Sequence, residues 1–171
     1  MKLTQQELEA FYLEYESPLY NFALRWVWNR ALAQDLVQDA FMRIWEKRED
    51  IDRSTLKSLL YKTVQNLAIN EYRKMQIRKS VPLMDWFLVE SPQMETSFLE
   101  QENLKELQAA LDALPADIKK TLLLCEFSDM NYEQVASTLG IPAGTVASRR
   151  NRGIQLLQKL MNKERNENGK F

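Results

Sequence analysis

Apolar residues recur along this chain at spacings of three and four, the period of amphipathic helices rather than of strands. Thr4-Gln-Gln-Glu7 has the form of a capping box and predicts a helix to about residue 15. Pro18 predicts the start of a second helix, with Leu19, Phe22, Ala23, Trp26 and Val27 on its apolar side. A third opens at Asn29 or Arg30 and runs to about Lys47; the polar stretch EKREDIDRS is a loop, and a fourth helix covers about 54–77. SVPLMDWFLVESPQMETS then breaks the period with two prolines. Beyond it, Ser97-Phe-Leu-Glu100 reads as another capping box, for a helix ending near Pro115. Asp117 to Phe127 forms a sixth helix, Asn131-Tyr-Glu-Gln134 caps a short seventh, Gly140-Ile-Pro142 is a turn, and the last helix runs from about 143 to 161.

Composition supports this picture. Only four glycines and five prolines occur in 171 residues, and 45% of the chain is apolar, enough for a packed core. The expected fold is all-α: two small helical domains joined by an acidic linker, the C-terminal one a helix-turn-helix.

Charge locates the division. Residues 1–80 carry thirteen Lys+Arg against eleven Asp+Glu, residues 81–103 none against five, and residues 104–171 ten against eight. Two weakly basic units thus flank an acidic connector. The connector also holds Trp86, Phe87, Leu88 and Val89 in succession, which a purely solvated linker rarely does. It either packs on one of the units or waits for a groove on a partner.

Much chemistry is excluded. The chain has no histidine and one cysteine, so it has no internal disulfide, no Ser-His-Asp triad and no ordinary zinc site. Cys125, in TLLLCEF, is expected to be a small core residue. No catalytic residue, cofactor or metal is expected, and the protein is not expected to be an enzyme. Neither a signal-peptide pattern nor an apolar run of membrane-spanning length occurs, so the expectation is a cytoplasmic protein without direct membrane insertion.

The stretch YEQVASTLGIPAGTVASRRN has the spacing of a helix-turn-helix. Ala136 is small where two helices cross, Gly140 can take the positive φ of the turn, and Val135, Leu139, Ile141 and Val146 are the inward positions. An ordinary αα-hairpin is the plainer reading. On the last helix, Val146, Gly153, Leu156, Leu157 and Leu160 share one side. Ser148, Asn151, Arg152, Gln155 and Lys159 share the other, with Arg149 and Arg150 at the flanks. These residue types suit base edges and phosphates, and the helix start at Gly144 and Thr145 can direct N–H groups at a phosphate. A unit of such low net charge should nevertheless hold free DNA weakly, because non-specific affinity comes mainly from phosphate neutralisation. A larger partner already on DNA would supply the rest.

In the N-terminal unit, Lys62, Asn66, Asn70 and Arg73 form one stripe of the fourth helix, opposite Leu60, Val64 and Leu67. Asparagine is a mediocre helix former, so the stripe is either a solvated face or a track for a separated DNA strand. The basic run Arg73, Lys74, Arg78, Lys79 continues it. Trp26, Trp28, Trp45, Tyr61 and Tyr72 are candidates for stacking on bases, though most are expected in the core. The third helix puts Leu36, Val37, Ala40, Phe41 and Ile44 inside and Asp35, Gln38, Asp39, Met42 and Glu46 outside. An acidic face with an exposed methionine suggests a protein partner with basic residues.

Taken together, QDLVQDAFMRIW, LLYKTVQNLAINEYRK, LDALPADIKKTLLL and NYEQVASTLGIPAGTVASRRNRG give a chain that resembles the extracytoplasmic-function (ECF) sigma factors of the sigma-70 family over about residues 5–162. The resemblance implies a transcription initiation subunit with region 2 at 1–79, an acidic linker at 80–97 and region 4 at 98–171. Asp35, Gln38, Asp39, Met42 and Arg43 would grip the clamp of core RNA polymerase. Lys62, Asn66, Asn70 and Arg73 would recognise and melt the minus-ten element of promoter DNA, and the loop at 46–54 would capture an extruded base. Thr145, Ser148, Arg149, Asn151, Arg152 and Gln155 would read the minus-thirty-five element, while region 4 packs on the polymerase flap. The linker would follow the basic channel to the RNA exit, and an anti-sigma factor would hold the protein inactive. The sequence departs from the family where Leu56 and Leu59 replace a common aromatic pair, where Ala147 replaces a common basic residue, and at Asn151. The rival reading is a stand-alone dimeric helix-turn-helix regulator.

Overall fold

The computed structural model describes residues 3–80 and 98–169, and within them the chain is helical, with no strand. It divides into two compact units, Met1–Pro92 and Gln93–Phe171. The boundary, the connector with Trp86–Val89, and the capping box expected at Ser97 lie outside the described residues.

The first unit packs three long helices against one another: α1 (Gln5–Val27), α2 (Arg30–Glu46) and α3 (Leu56–Ser80). The Thr4 capping box forms, its hydroxyl accepting the Glu7 N–H while the Glu7 carboxylate accepts the Thr4 N–H at 2.9 Å. The expected break at Pro18 does not occur; one helix runs through it. Pro18 is exposed, so its ring faces solvent, and water can satisfy the Glu14 carbonyl that its missing N–H leaves without a helical partner. Continuity is favoured because the residues on both sides of Pro18 pack into the one three-helix core: Tyr12 meets Phe41 of α2, and Phe22 meets Tyr61 of α3, both edge to face. Trp28 ends α1 in the left-handed region, at φ 50°, and Asn29 caps α2 through the Leu32 N–H. The core expected for α2 is the one observed: Leu36, Val37, Ala40, Phe41 and Ile44 are buried.

The second unit contains α4 (Phe98–Asp112), α5 (Ala116–Phe127), α6 (Tyr132–Leu139) and α7 (Ala143–Asn168). All three other helices pack on α7. Asn131 and Gln134 form the expected reciprocal cap of α6, and Gly140 closes that helix at φ 67°, a conformation nearly free of strain only for glycine. The Ala136 carbonyl then accepts the N–H groups of both Gly140 and Ile141. Val135 and Val146 are fully buried across the turn, while Leu139 and Ile141 are half-buried. Gly153 is buried where α5 crosses α7: a Cβ there would stand 3.0 Å from Ile118 Cγ2 and 3.2 Å from Leu122 Cδ2. Its missing side chain is what lets the two helices approach.

One polar feature of this unit has no signature in the sequence. Lys119 sits on the inner side of α5, its side chain only 3% exposed, and donates to the Asp112 carboxylate at 3.1 Å. Burial pushes the Lys119 ammonium below its ordinary range, against the opposing pull of Asp112. Cys125 is half-buried rather than sealed in the core, and burial raises its thiol.

Candidate nucleic-acid interface

On α3 the pattern expected from sequence is realised. Lys62, Asn66, Asn70 and Arg73 are all exposed, whereas Leu60 and Val64 are fully buried and Leu67 half-buried. The stripe covers twelve residues of helix and so spans about 16 Å at a rise of 1.5 Å per residue. Among the described residues neither Lys62 nor Arg73 has an ion-pair partner. The stripe is therefore cationic at its two ends and neutral but hydrogen-bonding between them.

The loop before α3 is built rather than loose. It contains two single 3₁₀ turns, Arg48–Asp50 and Arg53–Thr55, with Ile51 anchored in the core between them. Asp52 accepts from both the N–H and the hydroxyl of Ser54 at 2.8 Å, and these bonds hold its carboxyl below the usual range. Arg53 reaches back to Glu7 at the start of α1, at 3.0 Å. Arg48 lies over the Trp45 ring at 4.0 Å and donates to the Trp45 carbonyl. Leu56 is wholly buried and Leu59 half-buried, so Leu56 presents no surface to a base.

Of the five aromatic candidates for stacking, Trp26 and Tyr61 are core residues. Trp45 and Trp28 are half-buried and carry Arg48 and Arg25 over their rings, and Tyr72 is half-buried against Trp26. The apolar period could not separate these cases, because a ring on the rim of a core and a ring inside it occupy similar helical positions.

The outer face of α2 also stands as expected. Asp35, Gln38, Met42 and Arg43 are exposed and Asp39 is half-buried; Met42 is 63% exposed. Asp39 and Arg43 pair with each other at 3.1 Å along the helix, which leaves Asp35 and Glu46 as the carboxylates of this face without an ion-pair partner among the described residues. Beside it runs a groove of about 390 Å³ between α1 and α2, lined by Gln5, Leu8, Glu9, Tyr12, Phe41 and Trp45.

On α7, Ser148, Asn151, Arg152 and Gln155 are exposed on one face, with Thr145 and Arg149 half-buried beside them. The Ser148 hydroxyl donates to the Thr145 carbonyl at 3.2 Å. The Thr145 N–H, expected to be open to a phosphate, is instead bonded to the Pro142 carbonyl at 3.0 Å, so any anion at this helix end meets the first-turn amides before it. Arg149 and Arg152 have no ion-pair partner among the described residues. Arg150 differs: its Nε donates to Glu126 of α5 at 2.8 Å. That partner lies 24 residues away in sequence, and no local rule pairs them.

Comparison with known proteins gives these surfaces a family. The model of sigma-70 region 2 matches residues 11–77, and that of sigma-70 region 4 matches residues 104–157. The ECF RNA polymerase sigma factor EcfG of Rhodopseudomonas palustris is 30% identical over 82% of this chain and 77% of its own length. SigE of Mycolicibacterium smegmatis is 32% identical over 87% of this chain, which spans 59% of that relative. Among solved structures, the sigma factor RpoE of Bartonella quintana, in complex with the anti-sigma factor NepR, is 26% identical, with TM-score 0.69 over 92% of this chain and 98% of that one. CnrH, in complex with the cytosolic domain of CnrY, shares the fold with TM-score 0.72 at 17% identity. The two family regions fall on the two structural units in order, and this chain belongs to the ECF sigma factors of the sigma-70 family.

Proposed function

We propose that this transcription initiation factor divides promoter recognition between its two units and depends on core RNA polymerase for most of its hold on DNA. The outer face of α2, with Asp35, Gln38, Asp39, Met42 and Arg43, grips the polymerase clamp. The α3 stripe of Lys62, Asn66, Asn70 and Arg73 follows the separated strand of the minus-ten element. The loop at 46–54 receives an extruded base in a frame fixed by Asp52 and by Arg53 with Glu7. Thr145, Ser148, Arg149, Asn151, Arg152 and Gln155 read the minus-thirty-five element while the second unit rests on the polymerase flap. The acidic connector follows a basic channel toward the RNA exit. The factor works in the cytoplasm, where polymerase and chromosome meet, and acts by binding rather than by catalysis. An anti-sigma factor holds it inactive in the absence of its signal, as NepR is bound to RpoE of Bartonella quintana.

The observation that carries this reading is the coincidence of family and surface. The region 2 match contains an exposed stripe of hydrogen-bonding residues, and the region 4 match contains a helix-turn-helix whose outer face holds two arginines without an ion-pair partner among the described residues. Among the described residues no group of metal-ligating side chains forms, and no helix is long and apolar enough to cross a membrane. Promoter-specific run-off transcription by core polymerase plus this protein, with start sites mapped across a genomic library, tests the proposal. Defined start sites absent with core alone support it; transcripts no different from those of core alone would refute it.

A further inference from the structure

Three arginines lie within four residues near the start of α7, and among the described residues only Arg150 has an ion-pair partner. Arg150 donates to the Glu126 carboxylate of α5 at 2.8 Å, and Tyr132, at the first position of α6, lies near enough to help keep the guanidinium charged. A single guanidinium on α7 is thus bonded to α5 and stands beside the first residue of α6. The attachment points are well chosen for this: Glu126 is next to the end of α5, and Tyr132 is the first residue of the helix-turn-helix. The fork of donors on arginine can engage two acceptors in fixed geometry, which an ammonium does poorly.

We infer that Arg150 is a positioning residue, a strut that fixes the angle of α7 against α5 and α6 so that Arg149 and Arg152 meet DNA in register. The inference rests on the reading of α7 as the minus-thirty-five helix. It divides the arginine cluster by role: two side chains carry the DNA contact, and the third orients them. It also gives Glu126 a function that its charge alone would not suggest. A carboxylate near a DNA-reading helix ordinarily weakens binding by repelling phosphate; this one supports binding by holding the strut.

Holoenzyme assembled from core polymerase and the full chain provides the test. The probe is a promoter fragment whose start site has been mapped with wild-type holoenzyme, beside the same fragment with a scrambled minus-thirty-five element. Affinity for both is measured over a salt series for wild type, Arg150→Ala, Glu126→Ala and the charge swap Arg150→Glu with Glu126→Arg. The strut predicts that each single change lowers the preference for the intact element by about two- to fivefold, the scale of one partly exposed ion pair. The swap should recover much of that loss, and the salt slope should stay at its wild-type value. Two results would overturn the inference: a slope smaller by about one unit in Arg150→Ala, the mark of a lost phosphate contact, or tighter binding by Glu126→Ala. A wild-type holoenzyme indifferent to scrambling would instead refute the minus-thirty-five reading itself, so the two failures are distinct. Circular dichroism establishes that each variant is folded. Should Arg150→Ala unfold, Glu126→Gln reads the same strut from its other end.

Discussion

The two helices proposed to meet DNA carry different surfaces. The α3 stripe places two asparagines between one lysine and one arginine, on a helix that carries one wall of a three-helix core. The α7 face concentrates arginine at the start of a helix on which the other three helices of its unit pack. Amide side chains can donate and accept at base edges without adding charge, which suits a strand whose bases are already separated. Arginine pairs two donors with a guanine edge or with phosphate oxygens, which suits a closed duplex. The contrast also shows that a cluster of like charges in sequence is not a cluster of like roles. Arg150 is tied to Glu126, whereas Arg149 and Arg152 have no ion-pair partner among the described residues.

The contrast can be broken most sharply at Gly153. A valine there must fit where a Cβ would already stand 3.0 Å from Ile118, so Gly153→Val should cost the second unit about 3 kcal/mol, near the top of the usual range for overpacking. Thermal unfolding followed by circular dichroism reads the loss. Use of the minus-thirty-five element should fall with it, while core binding through α2 persists. Next in size, Arg152→Ala should reduce discrimination at the minus-thirty-five element by about 2 kcal/mol, measured as the ratio of affinities for intact and altered elements. Unchanged promoter choice would remove Arg152 from the contact. Asp39→Lys should weaken binding to core polymerase about tenfold, or about 1.4 kcal/mol, without unfolding the first unit. Unaltered core affinity would mean that the clamp uses another face.

Smallest is the effect of pH: stability rises with pH in both units, but in an acid window in the first and an alkaline one in the second. In the first, Glu7 and Asp52 are held below their ordinary values by hydrogen bonds from Thr4 and Ser54. Their stabilisation is complete above the unfolded values of 4.5 and 3.8 and is lost as pH falls through the lowered folded values. In the second, Lys119 is lowered by burial, so the unfolded chain binds the extra proton, and stability rises with pH from the lowered value toward 10.5. Midpoints of denaturant unfolding for Asp52→Asn and Lys119→Met across pH would show each slope flattened in its own unit.

The helices, the turn at Gly140 and the three exposed faces were legible in the sequence because each rests on local spacing. Asn131 with Gln134, or Leu60 with Val64 opposite Lys62 and Asn66, need no knowledge of a third helix. What escaped depended on distant neighbours. Pro18 looks like a boundary from backbone chemistry alone, yet it is tolerated because its side of α1 faces water. Lys119 looks like a surface residue until Asp112 is found beside it, and Arg150 looks like its neighbours until Glu126 is. Gly153 lay on the expected apolar side, but only the crossing with α5 explains why that position lacks a side chain.

The account turns on delivery: each unit has low net charge, and the chain as a whole carries −1. Fluorescence anisotropy of a labelled promoter fragment at physiological salt, with the purified chain alone and then with core polymerase added, tests this directly. The account predicts no preference for the promoter over a scrambled duplex until core is present, and a clear preference once it is. Tight, selective binding by the free chain would contradict it.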